Sequence, residues 1–433
     1  MLDIVVICRS SDQTVKQDIL YRRIKNSVHC TNQWVNSMAD MNNSQQIFDV
    51  VVVGAGMIGA ATALGLAQEG WKVALLDHQP PQSYDTQSQP DVRVSAISCA
   101  SVDLFKQLGA WDAVLQMRSA PYRTLETWEQ NDSNLVFDAQ SLGLPELGYM
   151  VENRILQLAL WQQFEKHPNL TLLCPAVLQS MRWQKMGWLV TLADGTEMTA
   201  RLIVGADGAR SQVRQMAGIG SRGWQYRQSC MLITVKTEQP QQDITWQQFF
   251  PSGPRALLPL FDQWASLVWY DKPARIRQLQ AMSMAQLEQE IFQAFPVRLG
   301  KVTPVAAGSF PLTRHHANSY VREGLVLLGD AAHTINPLAG QGVNLGYRDV
   351  NTLLDVLVKA RELTEQWDSL EVLMRYQRRR MPDNLMMQAG MDLFYTVFSN
   401  ELPGLKVARN LALMAAQRAG VMKKAVLKYA LGL

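Results

Sequence analysis

The chain has 433 residues, 47% of them hydrophobic, and a formal net charge of +3. That length can bury a large core and suggests two or three domains, while so small a charge makes no case for a nucleic-acid partner. Five cysteines (Cys8, Cys30, Cys99, Cys174, Cys230) lack paired metal-binding spacing and fit core thiols in a reduced, cytosolic setting, and no apolar run reaches the roughly 18 residues of a membrane-spanning helix.

Residues 1–45 are polar and irregular around Ser10–Gln17 and again from Asn32 onward. They read as a disordered leader or a start assigned too early, outside the fold. The apolar opening Met1–Cys8 is short and lacks both a basic region and a small-residue cleavage site, so it makes a poor signal peptide.

From Asp49 the chain reads strand, tight turn, helix, strand: Asp49-Val-Val-Val-Val-Gly-Ala-Gly-Met-Ile-Gly59, a helix to Gly70, then Lys72-Val-Ala-Leu-Leu-Asp77. In a dinucleotide turn Gly54 permits the bend, Gly56 lets the backbone approach a pyrophosphate at the helix N-terminus, and Gly59 lets helix and sheet pack closely. Met57 and Ile58 lie inside this turn. Asp77, 18 residues after Gly59, stands where an acid accepts hydrogen bonds from an adenosine ribose.

His78–Pro90 reads as loop, and Arg93 beyond it suits either a cofactor phosphate or carbonyl or an ordinary surface ion pair. Helices are expected at Ser101–Leu108 and Glu152–Lys166, short strands between Thr171 and Thr199, and a hairpin turn at Ala193-Asp-Gly195. A second motif, Leu202-Ile-Val-Gly-Ala-Asp-Gly-Ala-Arg-Ser-Gln-Val-Arg214, is a strand ending in a tight turn that presents Asp207 and Gly208; on its own it is also an Asp-Gly turn capped by Ser211.

Residues 224–312 change to aromatic and β-branched runs broken by Pro, Gly and Asp, as in an antiparallel sheet with one buried face, with a helix at Ser283–Phe295. Such a sheet can roof a flat apolar ligand, or its aromatics can simply fill a core. The strand Leu325–Asp330 then runs into Gly329-Asp-Ala-Ala-His-Thr-Ile-Asn-Pro-Leu-Ala-Gly-Gln-Gly-Val-Asn344 and a helix at Val343–Leu357. Asp330 can accept bonds from a sugar-like chain. Pro337, Gly340, Gln341, Gly342 and Asn344 form a glycine-rich bend whose helix N-terminus favours nearby negative charge. His333 is a polar group beside this site or a local cap. Beyond Pro403, apolar residues interleave with Lys and Arg; a membrane surface, a partner protein and docking onto the body of the protein all stay open.

The three motifs resemble the dinucleotide turn, the Asp-Gly motif and the Gly-Asp motif of the single-component FAD-dependent aromatic hydroxylases, the family of para-hydroxybenzoate hydroxylase, over about residues 47–433. Tyr149-Met-Val-Glu-Asn153, Gly205–Gly220 and Gly340–Asp349 are most similar to the ubiquinone-biosynthesis hydroxylases. The segments Trp246–Phe249, Ala265–Asp271, Met391–Tyr395 and Leu427–Leu433 are similar to the member acting on 2-polyprenyl-3-methyl-6-methoxy-1,4-benzoquinol.

The resemblance implies an α/β fold: a Rossmann-like FAD-binding domain (46–125, 150–220, 315–365), an inserted antiparallel-sheet substrate domain (126–149, 221–314) and a helical C-terminus (366–433). It implies FAD as cofactor, NAD(P)H as electron donor and O₂ as co-substrate for ring hydroxylation, with no metal. Gly54, Gly56, Gly59 and Asp77 would bind the ADP half; Asp207 and Gly208 would lie near the pyrophosphate and the nicotinamide route. Gly329 and Asp330 would hold the ribityl or pyrophosphate region, and Pro337, Gly340, Gln341, Gly342 and Asn344 would surround the isoalloxazine. The implied partners are a polyprenyl quinol and other ubiquinone-biosynthesis proteins, with membrane contact, homo-oligomerisation and a non-catalytic scaffold role left open. The chain departs from the family pattern at Asp77, often Glu, and at Asn336, often His.

Overall fold

A buried parallel strand needs side chains that tolerate apolar surroundings on both faces, and the run Val50–Val53 meets that demand. The computed structural model describes residues 46–130, 133–185, 187–240, 242–336, 342–399 and 403–433. The elements framing the site follow the chain in this order. They are β1 (Gln46–Val53), α1 (Met57–Gln68), β2 (Val73–Leu76), α2 (Asn153–Trp161), β3 (Leu170–Leu173), β4 (Glu197–Gly205) and α3 (Gln212–Met216), then β5 (Ser221–Thr237), β6 (Val302–Ala317), β7 (Leu325–Leu327), β8 (His333–Thr334), α4 (Gly342–Glu362), α5 (Leu370–Phe398), α6 (Pro403–Arg418) and α7 (Gly420–Leu431).

One sheet has the core order β7-β4-β1-β2-β3. β1 pairs parallel with β2, β2 with β3, and β4 with β7. The Ala206 N–H donates to the Val53 carbonyl at 2.9 Å, which brings the C-terminal ends of β4 and β1 side by side. The chain leaves β1 toward β2 on one side and returns through β4 on the other, so a topological switch point lies at the end of β1. Crevices at such points are where open α/β sheets place ligands. Helix α1 is buried along Gly59–Ala67. Its small residues allow close contact: a Cβ at Gly65 would lie 2.5 Å from a Leu354 methyl on α4.

A second eight-stranded sheet runs β8-β6-β5, then Trp264–Asp271, Arg255–Pro259, Ile244–Gln248, Thr124–Trp128 and Leu135–Asp138. The expected antiparallel pairing holds through this sheet except where Ile244–Gln248 runs parallel to Thr124–Trp128, and the hairpin at Gly195 (φ +86°) agrees with the sequence expectation. The aromatics divide between its faces. Trp246 and Trp269 are buried with Ile276, Leu287 and Ile291 of the helices Pro273–Gln280 and Met284–Ala294, so they fill a core behind the sheet. On the other face Tyr226, Cys230, Tyr270 and Leu312 pack toward Met391 and Tyr395 of α5, beside the half-buried Leu232, Val268 and Phe310.

The helix Pro273–Gln280 was not expected from sequence, and the expected helical C-terminus opens with the 29-residue α5, which carries Pro382 in its interior. Helix α7 docks through Leu427 and Leu431 against Tyr122, Met150 and Leu260, while Val421, Met422 and Val426 stay exposed. Phe48–Leu433 forms one compact unit. Among the described residues no helix is long and apolar enough to cross a membrane. The leader expected at residues 1–45 lies outside the described residues.

Candidate active site

The three motifs end three neighbouring strands, β1, β4 and β7, so their turns gather along one edge of the sheet. At the first, Gly54 has φ +98°, and a Cβ there would come within 2.6 Å of the Ala206 carbonyl oxygen. A Cβ on Gly59 would lie 1.7 Å from the Gly54 oxygen, so the helix cannot sit this close with any other residue. Gly56 differs: nothing lies within 4 Å of its would-be Cβ. It is the N-cap of α1 and supplies no side-chain cap, and the first helical bond runs from the Ala60 N–H to the Gly56 carbonyl. The N–H groups of Met57, Ile58 and Gly59 precede that bond, so a helix N-terminus with a positive dipole end faces open space. This arrangement fits a pyrophosphate.

Asp77 ends β2 and faces the turn: one oxygen accepts from the Ala55 N–H at 2.7 Å, the other from the Gln79 N–H at 3.2 Å. The Ala55 carbonyl in turn accepts from Gln157 Nε2 (2.8 Å) and Trp161 Nε1 (2.9 Å) on α2. The peptide at the centre of the glycine turn is therefore pinned on both sides. Neither α2 residue was foreseen; an isolated helical Gln and Trp carry no motif.

At the second turn the Asp207 carboxylate caps α3, accepting from Ser211 Oγ (2.5 Å) and from the N–H groups of Gln212 (2.7 Å) and Val213 (3.1 Å). What this turn offers a ligand is backbone at Gly208 (φ +78°), whose Cβ position is also open. Arg214, buried on α3, donates to the carbonyls of Ala209 (3.0 Å) and Ala331 (2.8 Å), tying the second turn to the third.

The third turn bends at Gly329 (φ +55°) against the Ile58 side chain. Asp330, just past the end of β7, is exposed. Burial raises its pKa, while His333 and Arg93 pull it back. Arg93 is exposed, with its guanidinium 6.0 Å from the Phe310 ring and near enough to Asp330 to act on its carboxyl.

Pro337, Gly340 and Gln341 lie outside the described residues; Gly342 begins α4. Asn344 is buried and turned into the protein. Its oxygen accepts from the Ser98 N–H (3.0 Å) and Ser101 Oγ (2.8 Å), and its nitrogen donates to the Ala96 carbonyl (2.8 Å). It buckles the start of α4 to a segment about 245 residues earlier.

Behind the third turn lies a group missed in the sequence. Asp349, fully buried on α4, accepts from the Gly329 N–H (3.0 Å), His333 Nε2 (2.6 Å), Arg380 Nε (2.8 Å) and Asn384 Nδ2 (3.3 Å). Burial alone would raise its pKa; His333 and Arg380 outweigh this and hold the carboxyl well below its usual range. His333 thus bonds locally beneath the turn. A cavity of about 650 Å³ lined by Gly65, Gln68, Leu104, Leu354 and Lys359 lies toward the other end of α1 and takes no part in this site.

Comparison with known proteins agrees with this geometry. Residues 48–387 match the family model described as FAD binding domain. The chain is 62% identical over 390 residues to the 3-demethoxyubiquinol 3-hydroxylase of Escherichia coli (strain K12), covering 90% of this chain and 100% of the relative. It is 37% identical to the ubiquinone hydroxylase UbiL of Rhodospirillum rubrum, covering 90% and 91%. The p-nitrophenol 4-monooxygenase PnpA of Pseudomonas putida DLL-E4 shares the fold, with a TM-score of 0.73 at 18% identity over 89% of this chain and 98% of that one. The chain belongs to the FAD binding domain family, among the FAD-dependent monooxygenases of ubiquinone biosynthesis.

Proposed function

We propose that the protein hydroxylates the ring of a polyprenyl benzoquinol, 2-polyprenyl-3-methyl-6-methoxy-1,4-benzoquinol, with NAD(P)H as electron donor and O₂ as co-substrate. The observation that carries this reading is the gathering of three cofactor-type turns on adjacent strand ends, in a chain that also carries an apolar sheet face. The 62% identity to a relative named for a demethoxyubiquinol narrows the substrate. Bound FAD supplies the electron transfer and O₂ activation that amino acids lack.

In this assignment Gly54, Gly56 and Gly59, with the N–H groups of Met57 and Ile58, receive the pyrophosphate, and Asp77 faces the adenosine ribose. Gly208, Gly329, Asp330 and Arg93 line the path toward the ring, where Pro337, Gly340, Gln341 and Gly342 surround the flavin. Asp207 and Asn344 act at one remove, by fixing α3 and the start of α4. Leu232, Val268 and Phe310, on the sheet of the substrate part (126–149 and 221–314), cover the quinol ring and exclude water from it. No acid or base is assigned, because a quinol is already electron-rich.

The exposed Val421 (84%) and Met422 (72%) of α7, beside Lys424 and Lys428, form a face that we assign to an anionic bilayer holding the polyprenyl tail. Arg375, Arg379 and Arg380 do not add to it, being paired with Glu365, Asp355 and Asp349. Deleting the gene from its host should leave a 6-methoxy-3-methyl polyprenyl benzoquinone lacking the last oxygen; accumulation of an earlier phenol would overturn the substrate assignment.

A further inference from the structure

Buried polar atoms in folded proteins nearly always have hydrogen-bond partners, so several neighbouring exceptions call for an explanation. Three such residues meet where β6 and β8 pair. Both ring nitrogens of His315, the Thr334 hydroxyl and both amide atoms of Asn336 are buried without a partner. Asn336 as a residue is 1% exposed.

They share one side of the strand pair. His315 pairs with Thr334 and His316 with His333. His316 and His333 face α4 and α5: the first reaches Gln388 (3.0 Å), the second Asp349. Ile335 packs that way too, with Leu345 and Met387. The alternation of the paired strands then turns His315 and Thr334 to the opposite side, with Asn336 two residues beyond Thr334. The charge acting most on His315 is Arg214, which ties the second and third turns together, so the pair lies close to the strand-end motifs.

The chemistry of the face is neutral. Burial, followed by Arg214, His316 and His333, lowers the His315 pKa to about 4, so at neutral pH its imidazole donates at one nitrogen and accepts at the other. Thr334 and Asn336 likewise each offer donors and acceptors. A phosphate would call for cations and a hydrocarbon for none of these atoms.

We propose that His315, Thr334 and Asn336 form a subsite for the amide edge of a planar heterocycle, an edge that presents C=O and N–H groups side by side. Two molecules carry that edge, the flavin ring through its pyrimidine and NAD(P)H through its carboxamide. The proposal rests on the family assignment and is independent of which quinol is hydroxylated.

The test uses two near-isosteric variants of the full chain, Asn336→Leu and Thr334→Val, with FAD, NAD⁺ and NADP⁺ as probes. FAD affinity is read by flavin fluorescence on reconstitution of the apoprotein, and nicotinamide affinity by perturbation of the bound flavin's absorbance. Asn336→Leu is expected to weaken one ligand about tenfold to a hundredfold, the range for a buried group left without its partner. Thr334→Val should weaken the same ligand by less. Weakened FAD assigns the edge to the flavin; weakened NAD⁺ or NADP⁺ with full FAD occupancy assigns it to the nicotinamide. The urea midpoint of the apoprotein should hold or rise, since unpaired buried atoms are removed.

Affinities for all three probes within twofold of the parent, as if the face held only ordered water, would overturn the proposal. So would a lowered apoprotein midpoint for both variants, which would make the residues structural. Failure of the parent to bind FAD would instead refute the family assignment.

Discussion

Replacing Asp349 by alanine should unfold the protein from beneath its third turn. The carboxylate is fully buried and accepts four hydrogen bonds, from Gly329, His333, Arg380 and Asn384. Asp349→Ala strands the buried Arg380 guanidinium with only Asp383 and Asn384 and leaves the Gly329 N–H without an acceptor. Breaking a buried charge pair from one side costs about 3–5 kcal/mol. With a urea dependence of about 3 kcal/mol/M, the midpoint of the apoprotein should fall by about 1–1.7 M. Arg380→Met alone strands Asp349 and should cost a similar amount. The double variant removes both charges, so it should be more stable than the sum of the singles implies by about 2 kcal/mol or more. Urea titration followed by tryptophan fluorescence measures all three. Loss of less than about 1 kcal/mol in Asp349→Ala, or simple additivity in the pair, would refute the reasoning.

Gly59→Ala places a methyl 1.7 Å from the Gly54 oxygen, and purified protein should carry no flavin, as read by its absorbance ratio. Asp330→Ala removes the carboxylate at the third turn and should also lose FAD while its stability changes by less than about 0.5 kcal/mol, because the side chain is exposed. His315 and His316 both have folded pKa values lowered from 6.5 to about 4, by burial first and neighbouring positive groups second. The unfolded chain therefore takes up protons first, so their effect on stability is absent above about pH 6.5 and grows as pH falls toward 4. Urea midpoints across that range should decline, and His315→Gln should make the decline shallower; an unchanged slope would contradict it.

The strand-turn-helix at Asp49–Gly59 was legible because each glycine answers a local demand, which the structure shows at Gly54 and Gly59 as would-be Cβ contacts under 3 Å and at Gly56 as open space. The antiparallel sheet was legible from its alternation and turns. Side-chain roles were harder. Asp207 and Asn344 sit in motif positions, but whether a carboxylate caps its own helix or faces a ligand depends on one rotamer, and the Asn344 partners Ala96, Ser98 and Ser101 lie on a segment distant in sequence. Asp349 and Arg380 were invisible for a related reason: a helical Asp and an Arg in a basic run look solvated until two helices cross. The C-terminal helices resolve as a mixture, since Leu427 and Leu431 dock while Val421 and Val426 on the same helix do not.

The central claim is ring hydroxylation coupled to a reduced flavin. Purified protein reconstituted with FAD, given NADPH or NADH, O₂ and the 6-methoxy-3-methyl polyprenyl benzoquinol, should consume one reductant and one O₂ per hydroxylated quinol, with one oxygen atom from ¹⁸O₂ in the product. Reductant consumption without ¹⁸O in the quinol, or full flavin occupancy with no quinol-stimulated turnover, would contradict the account.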